Sequence, residues 1–193
     1  MKTTLLAACS LVALVSGCGQ PASSPQGSNS SSEGNYTVST SAQTNPLVGQ
    51  TASSFSLPNL KGSNTSLQQI LTKHEPVVLN AWASWCYPCQ QETPDLVALS
   101  KKYAGKVEFV GVNMTYDDSV SGARSFVQKY HIPYTVALDK TGAFAKSYQI
   151  VGYPTTFIVS PSGKIDAVHI GILTKSQMQN MIQQAISAEP KSP

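Results

Sequence analysis

Apolar and polar residues are grouped along the chain so that strand-like and helix-like segments alternate between residues 46 and 188. Val77-Val78-Leu79-Asn80-Ala81-Trp82 is almost continuously apolar, which predicts a central strand covered on both faces. Residues 88–103 place Leu96, Leu99 and Tyr103 at helical spacing, with Pro94 expected to kink that helix. A second buried strand is expected at 107–112, followed by a helix whose apolar stripe is Val120, Ala123, Val127 and Tyr130. Residues 135–138 read as a short strand, 143–149 as a short helix, and 155–159 as a strand of β-branched and aromatic residues. Pro161-Ser162-Gly163 is a turn, and Ile165–Ile170 alternates apolar with polar as an outer strand does. Met178, Met181, Ile182, Ala185 and Ile186 form the stripe of a closing helix, and its methionines serve core packing. This order predicts an α/β fold with a mixed central β-sheet flanked by helices.

The segments outside that pattern have other compositions. From Gly19 to Asn45 the chain is mostly Ser, Gly, Asn, Gln, Thr and Pro, with Tyr36 and Val38 as its only larger apolar residues. Such a stretch buries too little surface to offset the cost of ordering, so a flexible tether is expected. Lys2 precedes a short apolar run from Leu5 to Val15, too short to span a bilayer and of the kind found in secretory signals. The run ends in Leu14-Val15-Ser16-Gly17-Cys18, which resembles the lipobox of bacterial lipoproteins. That resemblance implies lipidation of Cys18 and an anchor in the lipid bilayer. The expected organisation is a signal peptide at 1–17, lipidated cysteine and tether at 18–45, one domain at 46–188 and a tail at 189–193. The formal charge is only +3, with no run of Lys or Arg, which removes nucleic acid as a partner.

Four cysteines remain to be placed. Cys9 falls within the signal and Cys18 at its end, which leaves Cys86 and Cys89 as the thiols of the domain. Their spacing is too tight for a long structural staple, and no second pair completes a zinc site. They lie in Trp82-Ala83-Ser84-Trp85-Cys86-Tyr87-Pro88-Cys89, where a buried strand gives way to a helix. Unpaired amides and the helix dipole at such a junction favour an anion. Cys86 is therefore expected to be the exposed nucleophile with a lowered pKa, and Cys89, one turn further on, the buried resolving thiol. Pro88 suits an early helix position, where its missing N–H costs nothing. Exchange then proceeds through a mixed disulfide on Cys86 that Cys89 resolves. No cofactor or metal is called for.

Here the chain resembles the thioredoxin superfamily, and more closely its TlpA/ResA-like group of membrane-tethered oxidoreductases. The resemblance rests on Phe55-Ser56-Leu57-Pro58-Asn59-Leu60 with Gly62, Val78 through Cys86, and Glu92-Thr93-Pro94. It continues in Val110-Gly111-Val112-Asn113, Gly152-Tyr153-Pro154-Thr155-Thr156-Phe157 and Gly163-Lys164-Ile165, covering roughly residues 50–187. It implies a thioredoxin-like fold with a helix-strand insert from about Asp117 to Lys140. Pro154 matches the group's cis-proline, which faces the cysteines; a cis X–Pro bond is accessible because proline has a small trans preference. The resemblance also implies a substrate groove formed by Trp85, Tyr87, Pro88, Tyr153 and Pro154. Plain thioredoxins have an aspartate at the position of Asn80, so Asn80 carries no proton; asparagine is common in the narrower group. Tyr87 stands where some members have a glutamate, so their pH behaviour does not transfer. Glu92, three residues beyond Cys89, is a candidate for proton transfer through water, with surface or helix packing as its other reading.

The resemblance implies disulfide-bearing exported proteins as substrates, an apocytochrome c among the candidates, with a membrane thiol reductant as donor. Two other functions share features of the chain. A peroxiredoxin-like peroxidase calls for a threonine shortly before a proline-flanked cysteine, where this chain has Ser84 and Trp85. A copper-binding assembly factor calls for cysteines one residue further apart and a matching histidine. His74, His131 and His169 are isolated in sequence and read as structural or solvated.

Overall fold

The computed structural model describes residues 45–188. Their elements in chain order are β1 (Ser56–Pro58), β2 (Asn64–Ser66), α1 (Leu67–Leu71), β3 (Val77–Trp82), α2 (Tyr87–Lys102) and β4 (Glu108–Asn113). There follow α3 (Val120–Tyr130), β5 (Thr135–Leu138), α4 (Ala143–Ser147), β6 (Thr155–Val159), β7 (Ile165–Ile170) and α5 (Lys175–Ala188). The five-stranded sheet has the order β5-β4-β3-β6-β7. β3 pairs parallel with β4 and antiparallel with β6, so the sheet is mixed. The apolar run at 77–82 takes the centre because all six residues are buried, and a strand covered on both faces needs no polar side. The expected insert is α3 and β5, with β5 at the sheet edge beside β4.

Strand pleating sends successive β3 side chains to opposite faces. Val77, Leu79 and Ala81 join a core with Phe144, Tyr148 and Phe157, while Val78 packs with Leu96 and Leu99 of α2 and Met178 and Ile182 of α5. Asn80 and Trp82 share the face of Val78, which is the α2 face. Trp82 stacks on Phe126 of α3, ring centroids 4.3 Å apart. Phe126, absent from the expected stripe, is the buried aromatic of α3, while Val120 and Val127 are only half-buried. The stripe is rotated because the helix packs against the Trp82 ring. Gly111, on β4, is where a Cβ would come within 2.9 Å of the Trp82 indole nitrogen.

Two features were not legible as periodicity. The β1–β2 hairpin and α1 span only three to five residues each, too short for a repeat to appear. The hairpin strap matters to the sheet, because Leu60 N–H donates to the Val136 carbonyl and covers part of the β5 edge. α2 runs on through Pro94. No helix among the described residues is long and apolar enough to cross a membrane. Cys9, Cys18, the signal segment, most of the tether and the 189–193 tail lie outside the described residues.

Candidate active site

The end of β3 delivers Ala83 and Ser84 to a short turn, and Cys86 is the N-cap of α2. Its sulfur accepts from the Cys89 N–H at 3.2 Å, as a side-chain cap does. Tyr87 and Pro88 are the first two helical residues, so Pro88 stands where an amide hydrogen has no intrahelical partner. Cys86 and Cys89 are joined as a disulfide, with Cα atoms 5.3 Å apart. The expectation of an exposed Cys86 is corrected in this oxidised form. It is only 4% exposed, packed with Ala83, Cys89 and the half-buried Tyr153. The two cysteines still differ, because Cys86 lines an open groove and Cys89 does not.

That groove, about 470 Å³, is walled by Trp85, Tyr87 and Pro88 on one side and by Val151, Gly152 and Tyr153 on another. The Tyr153–Pro154 peptide bond is cis. The Pro154 carbonyl accepts from the Gly171 N–H at 2.8 Å, tying the loop to the end of β7. The third wall, Tyr116 and Asp117, comes from the stretch between β4 and α3 and was not anticipated. The Trp85 indole N–H donates to the Asp117 carbonyl at 2.9 Å, and the Tyr116 and Tyr153 hydroxyls lie 3.0 Å apart. Trp85 is 58% exposed and meets Tyr153 edge-on at 5.8 Å.

Glu92 is not a surface residue. It is 2% exposed, one turn beyond Cys89 on the sheet-facing side of α2. Its Oε1 accepts from Asn80 Nδ2 at 2.8 Å and its Oε2 from Leu173 N–H at 2.9 Å. Asn80 Nδ2 also donates to Thr156 Oγ1 on β6. Burial pushes the Glu92 pKa up to about 7, against the opposing pull of the Leu173 and Asn80 hydrogen bonds. A carboxyl poised there holds or releases a proton near neutral pH. Asn80, which has no proton to give, orients it.

A second carboxylate, which sequence reasoning missed, braces the turn before Cys86. Asp118 accepts from Ser84 N–H and Ser84 Oγ–H at 2.7 Å each, from Asn113 Nδ2 at 2.8 Å and from Ser119 N–H at 2.7 Å. Burial opposes its charge, but these donors win and hold the pKa below the usual carboxylate range. The only sequence signal for it is an aspartate shortly before a helix start, which reads as an ordinary cap. A Cβ on Gly122 would meet Ser84 Oγ at 2.6 Å and Asp118 Oδ1 at 2.8 Å. Both oxygens are locked by short hydrogen bonds and cannot swing aside. Alanine is better than glycine in a helix by about 1 kcal/mol, while overpacking costs about 1–3 kcal/mol. Gly122→Ala is therefore expected to lower stability by about 1 kcal/mol, against its helix propensity, as read by urea unfolding.

The comparisons with known proteins agree with this geometry. The AhpC/TSA family profile matches residues 48–168. The thioredoxin-like protein YneN of Bacillus subtilis strain 168 is 40% identical over 135 residues, covering 69% of this chain and 78% of its own. The thiol-disulfide oxidoreductase ResA of Bacillus thuringiensis subsp. konkukian is 31% identical over 137 residues, covering 70% and 77%. A crystal structure from Chlorobium tepidum, assigned as a thiol:disulfide interchange protein DsbE, superposes with a TM-score of 0.66 at 30% identity, covering 72% of this chain and 97% of that one. With a cysteine pair at the head of α2 in a thioredoxin-like fold, this chain belongs to the AhpC/TSA family and is a thiol–disulfide oxidoreductase.

Proposed function

We propose that this oxidoreductase acts as a reductase of disulfides in exported proteins, an apocytochrome c among them, on the outer face of the cytoplasmic membrane. The observation that carries the assignment of roles is the asymmetry of the pair: Cys86 caps α2 and borders the groove, while Cys89 lies behind it. In the reduced protein the Cys86 thiolate attacks one substrate sulfur and forms a mixed disulfide, and the other substrate sulfur leaves as a thiolate. Cys89 then gives up its proton and attacks Cys86 sulfur, closing the Cys86–Cys89 disulfide and releasing the second substrate thiolate. The substrate gains two electrons and two protons, which a membrane thiol reductant restores to the protein. Glu92 takes the Cys89 proton through water, which its pKa near 7 suits. Trp85, Tyr87, Pro88 and Tyr153 form the substrate groove, and Pro154, expected with them, is buried behind Tyr153 and does not line it.

The deciding measurement is the reduction potential of the Cys86–Cys89 couple against glutathione. A value near thioredoxin's, about −270 mV, is expected; one near about −120 mV identifies an oxidant instead and overturns the direction. Attachment rests on the reading of residues 1–17 as a signal, Cys18 as the lipidated residue and 18–45 as the tether to a domain at 46–188. Cys18→Ala is expected to leave the precursor unlipidated and without its normal membrane anchoring. A variant that carries lipid and pellets like the parent removes the anchor.

A further inference from the structure

Tyr87, Trp85, Tyr116 and Val151, four of the six large apolar side chains exposed among the described residues, line the groove beside Cys86. Asp117 is the only charged side chain in that lining. It is exposed, and among the described residues no Lys, Arg or His lies within salt-bridge range of it. Its Oδ2 is 3.5 Å from the Tyr153 hydroxyl, which is itself 3.0 Å from that of Tyr116. A cation is attracted to the face of an aromatic ring, and the Asp117 carboxylate adds a formal negative charge to a groove lined by Trp85, Tyr116 and Tyr153. From this geometry we infer that the groove selects substrates with a lysine or arginine beside the reactive cysteine, the cation lying among Trp85, Tyr116 and Tyr153 with Asp117 as its counter-charge.

This deepens the reading of the groove as the substrate site and rests on it. The wall that supplies Tyr116 and Asp117 is pinned to the active-site turn through Asp118, Ser84 and the Trp85 indole, so the Asp117 backbone is held in the groove that Cys86 also lines. The sign of the effect separates it from general electrostatic attraction. The chain's formal charge is +3, so its long-range field favours acidic peptides. A preference for basic ones has to come from the groove.

The test uses three peptides, each closed by one internal disulfide and differing only in a Lys, Gln or Glu next to the second cysteine. Their rates of reduction by the reduced protein are compared at about 0.01 M and about 1 M salt, where the Debye length is about 30 Å and about 3 Å. At low salt the Lys peptide is expected to react about tenfold faster than the Glu peptide, a size fitting one exposed charge pair plus a cation–π contact. The ratio should shrink at high salt, and Asp117→Asn should reduce it to about threefold or less. A low-salt ratio at or below one in the wild type overturns the inference without any variant, as does a tenfold ratio that survives Asp117→Asn. If the wild type reduces none of the peptides, Gln included, the substrate-site reading itself fails and this inference falls with it.

Discussion

Cys86→Ser is expected to slow dithiol–disulfide exchange by on the order of 10³-fold or more, while Cys89→Ser turns the protein into a trap for its substrates. A hydroxyl at the α2 N-cap can still accept the Cys89 N–H, so the fold survives the first change. It cannot act as a thiolate at neutral pH, so the first bond to substrate sulfur is never made. In Cys89→Ser that first bond forms normally but nothing behind Cys86 attacks it. Non-reducing electrophoresis followed by mass mapping should find substrate joined to Cys86. In the reduced wild type, Cys86 should alkylate well before Cys89, because only Cys86 borders the groove. Trapping through Cys89, or equal labelling of the two, reverses the assignment. The near-complete burial of Cys86 in the disulfide form does not weaken this expectation, since the groove lies against it.

The second large effect is a pH dependence of stability centred on Glu92. Its pKa is raised from 4.5 to about 7 in the folded protein, chiefly by burial. Below about pH 4.5 the carboxyl is protonated in both states and costs nothing. Between about 4.5 and 7 the unfolded chain releases the proton while the folded one keeps it, so stability falls as pH rises. Above about pH 7 the full cost of a buried charge is present, on the order of 3 kcal/mol. Glu92→Gln removes the ionisation. Urea unfolding at pH 5 and pH 8 should show the wild type losing about 2–3 kcal/mol more than the variant over that interval. Comparing the two proteins cancels Glu75 and Asp166, whose carboxyls are also raised, mainly by burial. Equal slopes in the two proteins would mean that Glu92 does not titrate there, and its proposed role as proton acceptor would go with it.

Cys86, Cys89 and the order of strands and helices from β3 onward were readable because each leaves a local signature. A buried central strand appears as an unbroken apolar run, a helix face repeats every three to four residues, and Cys-x-Pro-Cys at their junction specifies a cap and a thiol pair. The position of Glu92 was readable as a spacing from Cys89, but not its state. Three residues along a helix say that two side chains share a face; they do not say that Asn80 and the Leu173 amide meet the carboxylate there. Those partners are 12 and 81 residues away in sequence.

The same limit applies at Phe126 and in the stretch that walls the groove. The stripe Val120, Ala123, Val127 and Tyr130 marks a helix correctly, yet its rotation is decided by the Trp82 ring, which belongs to another strand. Tyr116, Asp117 and Asp118 look in sequence like a polar loop before a helix cap. Sheet pairing between β3 and β4 places Trp82 opposite Asn113, so the residues leaving the two strands emerge side by side and Asp118 reaches Ser84. Local chemistry along the chain therefore determined the longer elements, the thiol pair and the helix start that carries it, because each depends on neighbours a few residues apart. Which carboxyl is buried, which loop braces the reactive turn and what lines the groove were decided only by tertiary structure, since burial and hydrogen-bond partners arise from residues that the sheet, not the sequence, makes adjacent.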